Sequence, residues 1–478
     1  MPQSLGPTGA PSVFGGIGRL EWSAGNPDDP FPVWQDITVF VRTEDNPLRI
    51  NRGRQTELDQ TQPSQLTCDL DNTDNRFTFG YTGGPYGATW TPAKKVRYTE
   101  TIGGRTFVLF TGWIEFPDVN NWQPTGYQTV QLTCTDRLTR LARGRKFVSN
   151  LGEHILYNVR NSALKNYWTL SAPSNRFPPI TGKDTLAPDL GLNPGGPTLT
   201  ISPQGGPSLP GDDLSPVLIN FSDGIGADGT VLTGTLSSPI TLSGTNALTL
   251  LLWVRRVTDF SAAQPQDMFA LFATDPTTGA ITDAIEIYVN NTGGPRWRGG
   301  GQFGGGASSI DAGPIPETST GRWMILGLQF TLSPQACTLW VDGQTIAGVV
   351  TGSPPASVTV SHTWIGNNWC GNVAHAQIYY GAPADFTRTD FLAQRQMGLY
   401  GLEWQLPGQR VNTILDYAGV LSTDRAVDPG VSYMQQAKLA GQDPLTAIQN
   451  AVTTERGRFF AGGDGRAVFH DRIRILNV

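Results

Sequence analysis

The stretch CTLWVDGQTIAGVV, residues 337–350, decides the fold class of this chain. Two runs of alternating apolar residues, 338–341 and 344–347, flank the pair Asp342-Gly343. An Asp-Gly pair tolerates positive φ at both positions, which a two-residue type I′ turn requires. The sequence therefore predicts a β-hairpin, and no side chain on this hairpin offers a base, a nucleophile or a clear metal site.

The composition extends the β prediction to the rest of the chain. Its 478 residues include 57 glycines, 35 prolines and an aromatic fraction of 10%. This length predicts two to four domains, and this mixture favours many short strands joined by turns. The chain has 34 basic and 40 acidic residues and a net charge of −6. This charge argues against non-specific electrostatic binding to DNA or to an anionic membrane.

The N-terminus and the cysteines indicate where the chain is made. MPQSLGPTGAPSV has neither a basic segment nor an apolar stretch of signal-peptide type, so we expect synthesis and assembly in a cytoplasm. The four cysteines, Cys68, Cys134, Cys337 and Cys370, have no CxxC spacing. We therefore expect buried thiols rather than disulfides or zinc ligands.

The first block, residues 1–150, is predicted to be an antiparallel β domain. Apolar runs at 36–41, 66–70, 107–110 and 130–134 are bounded by turn residues. Alternation places Leu66, Cys68 and Leu70 on one strand face. Residues 151–167 are predicted to be a helical connector.

Two further blocks follow, and together the three predict a mainly β, multidomain chain. Strand signals between residues 248 and 380, after a segment rich in Pro and Gly, predict a β-sandwich or jelly roll over 168–395. A helix that begins after Thr387 leads into an α+β region over 396–478. There, Asp443-Pro444 opens another helix, and the glycines at 462–465 predict a second hairpin.

The outer blocks resemble tail-hub and minor tail proteins of long-tailed bacteriophages. The resemblance lies in RINRGRQTELDQTQPSQLTCDLDNTDNRF, residues 49–77, with its Leu70-Asp71-Asn72 ending, and in QRVNTILDYAGV and DPLTAIQNAVTTERGRFFAGGDGRAVFHDR near the C-terminus. It implies a tube-type antiparallel β-barrel and a structural virion protein at the tail tip or baseplate hub. It also implies a homo-oligomeric ring, a trimer or a hexamer, with the tail tube, the distal tail ring and the tape measure as partners.

The middle block resembles laminin-G and concanavalin A-like domains. YWTLSAP at 167–173 is similar to the entry of such a domain, and TWIGNNWCGNVAHAQIYYGA at 363–382 is similar to its last strands. The resemblance implies an inserted sandwich that either contacts host cell-wall glycan or is a decoration that only stabilises the tail tip. The alternative is a carbohydrate-active enzyme with a lectin-like binding module.

Candidate glycan-binding residues combine aromatic rings with amides, the pairing on which sugar rings stack and hydrogen-bond. They are Trp297, Trp369, Asn290 and Asn291. Core packing is the alternative for the tryptophans, and it is favoured for Trp364. The segment GGGQFGGG, 299–306, is predicted to be a flexible loop, which would leave Trp297 exposed. Glu286 is a solvent-facing strand residue with no acidic partner two or four positions away. The paired carboxylates of a glycosidase are therefore not predicted, and we expect no enzymatic activity.

Two charged clusters complete the candidate sites. Asp212, Asp213, Asp223 and Asp228 are either solvated turn residues or ligands for Ca²⁺, the one cofactor that the sequence suggests. Arg140, Arg143, Arg145 and Lys146 either face solvent or line a lumen through which DNA passes transiently.

Overall fold

The chain folds into two compact units in the computed structural model. The model describes residues 17–44, 47–53, 61–115, 128–158, 163–171, 180, 187–189, 199–202, 207–221, 231–257, 266–274, 280–290, 295–304, 308–366 and 369–476. The terminal unit comprises residues 1–146, 404–435 and 441–478. The sandwich unit comprises residues 147–403 and 436–440.

The terminal unit contains an eight-stranded antiparallel sheet in the order β2-β1-β6-β7-β8-β5-β3, with β4 also paired to β5. Its strands are β1 (Ile17–Trp22), β2 (Gln35–Asp36), β3 (Val41–Arg42), β4 (Arg49–Gly53), β5 (Gln62–Asp71), β6 (Lys95–Ile102), β7 (Arg105–Ile114) and β8 (Thr129–Thr135). The predicted runs at 66–70, 107–110 and 130–134 all lie in these strands.

One short segment joins the two edges of this sheet. Gln35–Asp36 pairs with β1 at one edge, and Val41–Arg42 pairs with β5 at the other. The single strand predicted over 36–41 is therefore wrong. Asp36 Oδ1 accepts a hydrogen bond from the backbone N–H of Thr38 at 2.9 Å and starts a 3₁₀ turn over Thr38–Phe40. This turn lets one chain segment reach both edges of a barrel-like sheet.

The core of the terminal unit contains both predicted thiols. Cys68 and Cys134 are buried and unbridged, and they lie on the paired strands β5 and β8. Burial raises the pKa of the Cys68 thiol to about 12, so the thiol stays protonated. These cysteines act as small apolar core residues.

The rest of the terminal unit is α+β, as predicted. Its helices are α1 (Arg137–Ala142), α4 (Pro407–Tyr417), α5 (Pro444–Glu455) and α6 (Arg472–Leu476). A three-stranded sheet has the order β25 (Arg425–Val427), β27 (Ala467–His470), β26 (Arg458–Ala461). Asp443 caps α5, because its carboxylate accepts the N–H of Thr446 at 2.9 Å.

The sandwich unit consists of two eight-stranded antiparallel sheets that share one core. The first sheet contains β10 (Ala187–Asp189), β13 (Val231–Ser243), β23 (Ser357–Ile365), β15 (Gln266–Thr274), β16 (Ile281–Asn290), β17 (Arg296–Phe303), β18 (Ser308–Pro316) and β22 (Val349–Thr351), in that order. The opposite sheet contains β11 (Leu199–Ser202), β12 (Val217–Phe221), β24 (Gly371–Gly381), β14 (Ala247–Arg256), β19 (Met324–Leu332), β20 (Gln335–Val341) and β21 (Gln344–Ala347), in that order, with β9 (Leu164–Trp168) paired to β24. The mainly β, multidomain fold class is confirmed.

The hairpin predicted from residues 337–350 is confirmed in this unit. Val341 pairs with Gln344, and Asp342 and Gly343 have φ values of 46° and 98°. Positive φ at both turn residues is the requirement that the Asp-Gly pair meets.

The sandwich unit begins and ends outside the predicted limits of 168 and 395. Strand β9 pairs with β24, so residues predicted as a connector belong to a sheet. Helix α2 (Asn150–Asn158) packs against α3 (Arg388–Tyr400), and both lie in this unit. Thr387 caps α3 as predicted.

The glycines at 299–301 lie in strand β17, so the flexible loop predicted for this part of the segment is wrong. A Cβ on Gly299 would lie 2.8 Å from Leu328 Cδ1, and a Cβ on Gly300 would lie 2.1 Å from the carbonyl oxygen of Ile310. Close packing requires these glycines, since the space that a side chain would take is already filled.

Candidate functional site

The outer face of the first sheet of the sandwich unit carries a group of polar and aromatic side chains on neighbouring strands. Its inner face supplies core residues such as Phe269, Leu271 and Ile287. Because side chains alternate between the two faces of a strand, the residues between these point away from the core. This outer face is the candidate site.

One row of paired residues crosses five strands of this face. Trp364 on β23 pairs with Ala270 on β15, which pairs with Glu286 on β16. Glu286 pairs with Gly300 on β17, and Gly300 pairs with Asp311 on β18. Directly paired residues lie on the same side of a sheet, so this row places an indole and two carboxylates on one surface.

Two neighbouring rows enlarge the group. On one side, His362 pairs with Phe272, and Gln302 lies two strands further along the same row. On the other side, Tyr288 pairs with both Asp267 and Arg298. The face therefore combines aromatic rings, three carboxylates, a guanidinium and an amide.

Gly300 lets a neighbouring carboxylate lean over the middle of this face. The Oδ1 atom of Asp311 lies 2.8 Å from the position that a Cβ of Gly300 would take. The carboxylate of Asp311 thus occupies the space beside the glycine, and a side chain on residue 300 would displace it.

Three aromatic rings lie at one end of this row on the outer face. The Phe272 ring lies 4.3 Å from that of Trp364 and stacks at 5.2 Å on that of His362. Phe272 is buried, whereas Trp364 and His362 are half-buried. Phe272 therefore supports the indole, which keeps part of its surface accessible.

The carboxyl group of Glu286 has a raised pKa of about 8. Burial is the main cause, and the negative charges of Asp267 and Asp311 add to it. At neutral pH this group is therefore mostly a neutral acid. A neutral carboxyl donates a hydrogen bond as well as accepting one. The neighbouring carboxylates of Asp267 and Asp311 only accept hydrogen bonds.

Tyr288 and Asp311 are coupled across the glycine strand. Burial raises the pKa of the Tyr288 phenol to about 12, and the nearby charge of Asp311 and a hydrogen bond to its carboxylate contribute to the shift. The phenol therefore remains a donor to that carboxylate. This hydrogen bond takes up part of the acceptor capacity of the Asp311 carboxylate.

The predicted glycan-binding tryptophans are not on this face. Trp297 and Trp369 both have 0% exposure, and their rings lie 6.0 Å apart inside the sandwich core. The prediction that Trp297 is exposed in a loop is wrong, because the residue lies in strand β17 on its inner side. Asn290 is half-buried at the end of β16, and Asn291 lies outside the described residues.

The predicted calcium ligands that the structure describes have protein partners. Asp212 Oδ2 accepts from His375 Nε2 at 2.8 Å, and Asp213 Oδ2 accepts the N–H of Ala440 at 2.8 Å. Asp223 and Asp228 lie outside the described residues. Across the part of the chain that is described, no three His, Cys, Asp or Glu side chains come together as a metal site.

The Asp212–His375 pair is fully buried. The Tyr167 hydroxyl lies 2.7 Å from the second ring nitrogen of His375, and Asp212 also accepts the N–H of Leu151 at 3.1 Å. No member of the triad is more than 3% exposed. Because a substrate has no access to it, this triad is a structural network that fixes the segment before β12.

Two members of the predicted basic run form ion pairs. Arg140 contacts Asp28 at 2.8 Å, and Arg143 contacts Glu115 at 2.6 Å. Arg145 donates to the carbonyl of its neighbour Lys146 at 3.3 Å. The side chains of Arg140 and Arg143 are 41% and 66% exposed, so these are surface ion pairs.

Sequence reasoning missed Asp267, Asp311 and Tyr288, and it favoured core packing for Trp364, which is half-buried on the outer face. Strand alternation places Glu286 and Tyr288 on one face, and this was readable from the sequence. The cross-strand partners were not readable, because Asp267 and Asp311 are 19 and 25 positions away from Glu286 and meet it only through the sheet register.

Two antiparallel sheets around one core make the sandwich unit an antiparallel β-sandwich. No protein-family model matches the chain, and no curated protein matches it. Among the described helices, none is long and apolar enough to cross a membrane.

Solved structures match parts of the chain at low similarity. The T. cruzi calreticulin globular domain is 11% identical and aligns with 49% of this chain and 94% of its own, with a TM-score of 0.33. Domain 4 of AbnA, a GH43 extracellular arabinanase from Geobacillus stearothermophilus, is 18% identical over 49% and 100%, with a TM-score of 0.30. Trypanosoma rangeli sialidase is 10% identical over 80% and 66%, with a TM-score of 0.31. At these scores the likenesses carry no argument about function.

Proposed function

We propose that the sandwich unit binds carbohydrate on the outer face of its first sheet. The observation that carries this proposal is the row of Trp364, Glu286, Gly300 and Asp311. A pyranose ring stacks on an aromatic face and hydrogen-bonds through its hydroxyl groups. The indole of Trp364 supplies the stacking surface. The carboxyl, carboxylate and guanidinium groups near Gly300 supply the hydrogen bonds.

The expected affinity for one sugar ring is low. Stacking on one half-exposed indole contributes about 1 kcal/mol, and such single contacts correspond to roughly millimolar binding. Several copies on one particle raise the avidity by orders of magnitude through effective concentration. Binding is therefore best measured with a multivalent display.

The test compares two tryptophans in the full-length protein. Parent, Trp364→Ala and Trp404→Ala proteins are coupled to beads and presented to a panel of immobilised bacterial cell-wall polysaccharides. Trp404 is the matched control, because it is 68% exposed and lies in the terminal unit. We expect Trp364→Ala to lose at least fivefold in bound protein and Trp404→Ala to lose none. Absence of binding by the parent, or equal binding by all three, overturns the proposal.

We propose in addition that the whole chain is a structural protein of a long-tailed phage tail tip. This proposal is supported by the resemblance of residues 49–77 and of the C-terminal helix-and-hairpin segment to tail-hub proteins. In the described terminal unit, Asn72 ends the segment as a turn: its Oδ1 accepts the N–H of Phe77 and its amide donates to Thr78, both at 2.8 Å. Immunogold labelling of intact phage particles tests the location; label away from the tail tip overturns it.

One observation favours a second function, glycoside hydrolysis. Glu286 is a neutral acid with carboxylates on neighbouring strands, which is the chemistry of a general acid beside a base or nucleophile. We nevertheless propose binding without catalysis, because Asp311 is held by Tyr288. Release of reducing sugar from the polysaccharides that the parent binds, lost in Glu286→Gln, would instead establish the hydrolase.

A further inference from the structure

A polar cavity lies in the terminal unit. It has a volume of about 240 Å³. Strands β6 and β7, the first residue of α1 and the turn between β26 and β27 surround it. Its charged lining consists of Lys95, Arg97, Arg137, Arg466, Asp424 and Asp464. Four cations and two carboxylates leave the lining with an excess of positive charge.

The three arginines already have acidic partners. Arg97 contacts Glu21 at 2.6 Å, Arg137 contacts Asp424 at 2.7 Å, and Arg466 contacts Asp464 at 2.7 Å. Indole rings hold two of the guanidinium groups in place. Arg97 lies 4.4 Å above Trp34, and Arg137 lies 5.4 Å above Trp113. The walls of the cavity are thus fixed in position before any ligand arrives.

Lys95 differs from these arginines. Its side chain is only 7% exposed, and its ammonium group donates to the carbonyl oxygen of Asp29 at 2.7 Å. Within the described residues, that carbonyl is its one hydrogen-bond acceptor, whereas an ammonium group has three donors. A buried cation without a paired carboxylate is costly, and burial lowers the pKa of Lys95 accordingly. An anion in the cavity would satisfy the remaining donors.

The wall formed by residues 30–34 points to a macromolecular source for that anion. Pro30, Pro32 and Trp34 line the cavity, whereas Phe31 and Val33 between them are 84% and 79% exposed. A cationic cavity beside exposed apolar side chains fits a carboxylate with apolar neighbours better than a free inorganic ion.

We infer that this cavity is the docking site for an acidic segment of a partner protein, with one carboxylate bound at Lys95 and apolar residues of the segment against Phe31 and Val33. The charge complementarity is that of an anionic peptide with a cationic lining. This inference is independent of carbohydrate binding, since it concerns the other unit.

The test uses a fluorescein-labelled peptide of alternating glutamate and leucine as the probe, and full-length protein. Anisotropy gives the dissociation constant for the parent, for Lys95→Met and for Lys94→Met. Lys94 is the matched control: it is the adjacent residue, carries the same charge, donates to the carbonyls of Ala24 and Gly25, and does not line the cavity. We expect Lys95→Met to weaken binding at least tenfold and Lys94→Met to weaken it less than twofold.

Three outcomes overturn the inference. The first is no binding of the peptide by the parent, and the second is an equal loss in both lysine variants, which would indicate general charge attraction. The third is competition by inorganic phosphate at the peptide's own concentration, which would indicate a free-anion site. If Lys95→Met does not fold, Arg466→Met in the lining and Arg458→Met outside it form the second matched pair, with the same expected contrast.

Discussion

Glu286 and Asp311 lie in one cross-strand row of the sandwich, with only Gly300 between them. Adjacent strands are spaced about 4.8 Å apart, so the two backbones are about 10 Å from each other. A side chain on the middle strand would clash with Asp311, whose carboxylate leans over the glycine. Burial is the main cause of the raised pKa of Glu286, and the charges of Asp267 and Asp311 add to it.

We expect stability to fall as pH rises from about 4.5 to about 8, because Glu286 keeps its proton in the folded state over this window and loses it in the unfolded state. The unfolded state then binds fewer protons, so the free energy of unfolding decreases with pH. Glu286→Gln cannot ionise and should flatten this part of the curve. Urea denaturation at pH 5, 7 and 9 measures the effect.

An identical pH slope in the parent and in Glu286→Gln would contradict this prediction. The contrast is made at constant ionic strength, because salt screens the charges of Asp267 and Asp311. Raising the salt should reduce only the part of the shift that comes from those charges. The part due to burial should persist.

The sequence predicted local structure well and the site poorly, and the reason is physical. The Asp342-Gly343 turn and the Asp443 cap depend on neighbouring residues, so their signals are contained in a few positions. The pairing of Glu286 with Gly300, and of Gly300 with Asp311, depends on sheet register. Register follows from the packing of a whole core, which no short window of sequence contains.

Glycine spacing misled the sequence analysis for the same reason. GGGQFGGG has the composition of a flexible loop, but Gly299–Gly301 lie where Leu328, Ile310 and Phe330 fill the adjacent space. Long-range packing, not local preference, selected glycine in this strand.

Gly300→Ala should destabilise the sandwich and remove carbohydrate binding together. Its Cβ would lie 2.1 Å from the carbonyl oxygen of Ile310 and 2.8 Å from Asp311 Oδ1, so β17 or β18 must move. We expect a loss of roughly 1–3 kcal/mol, as for other overpacked sites. Gly25→Ala is the control, since its nearest contact is an ordinary 3.5 Å from the Ser23 hydroxyl. Equal melting temperatures of the two variants would contradict the close packing.

Asp212→Asn should be more destabilising than Asp213→Asn. Asp212 is fully buried and bound to His375 and Leu151, whereas Asp213 is half-buried and accepts the backbone N–H of Ala440. Loss of a charged hydrogen-bond acceptor in the core costs about 1.5–3 kcal/mol, and the more accessible site should cost less. Guanidinium denaturation at pH 7 gives both values, and a reversed order would show that the buried triad is not a structural network.

The pH dependence of this pair has a defined sign. Burial raises the pKa of Asp212, but His375 and several hydrogen bonds outweigh it, so the folded-state value is below normal. The stabilisation is therefore complete above the unfolded-state pKa of about 4, and it is lost as pH falls through the folded-state value. Asp212→Asn should lose this acid sensitivity.

Assembly into a ring is expected from the resemblance of the outer blocks to tail-hub proteins, with a trimer or a hexamer as the product. Closed cyclic symmetry is the usual result when one interface repeats around an axis. Sedimentation velocity, over a hundredfold range of protein concentration and with the tail proteins of the same phage added, measures the copy number. A monomer at every concentration and in every mixture would contradict the prediction.

Trp297→Ala should destabilise the sandwich strongly, whereas Trp364→Ala should destabilise it less. Trp297 has no exposed surface and packs near Trp369 in the core, so its truncation removes a large apolar volume at a cost of about 3–5 kcal/mol. Trp364 is half-buried on the outer face, and part of its surface already contacts water. Its truncation should cost less than half as much. Thermal melts followed by near-ultraviolet circular dichroism measure the loss of stability in both variants. A smaller loss for Trp297→Ala than for Trp364→Ala would contradict the placement of Trp297 in the core and of Trp364 on the outer face.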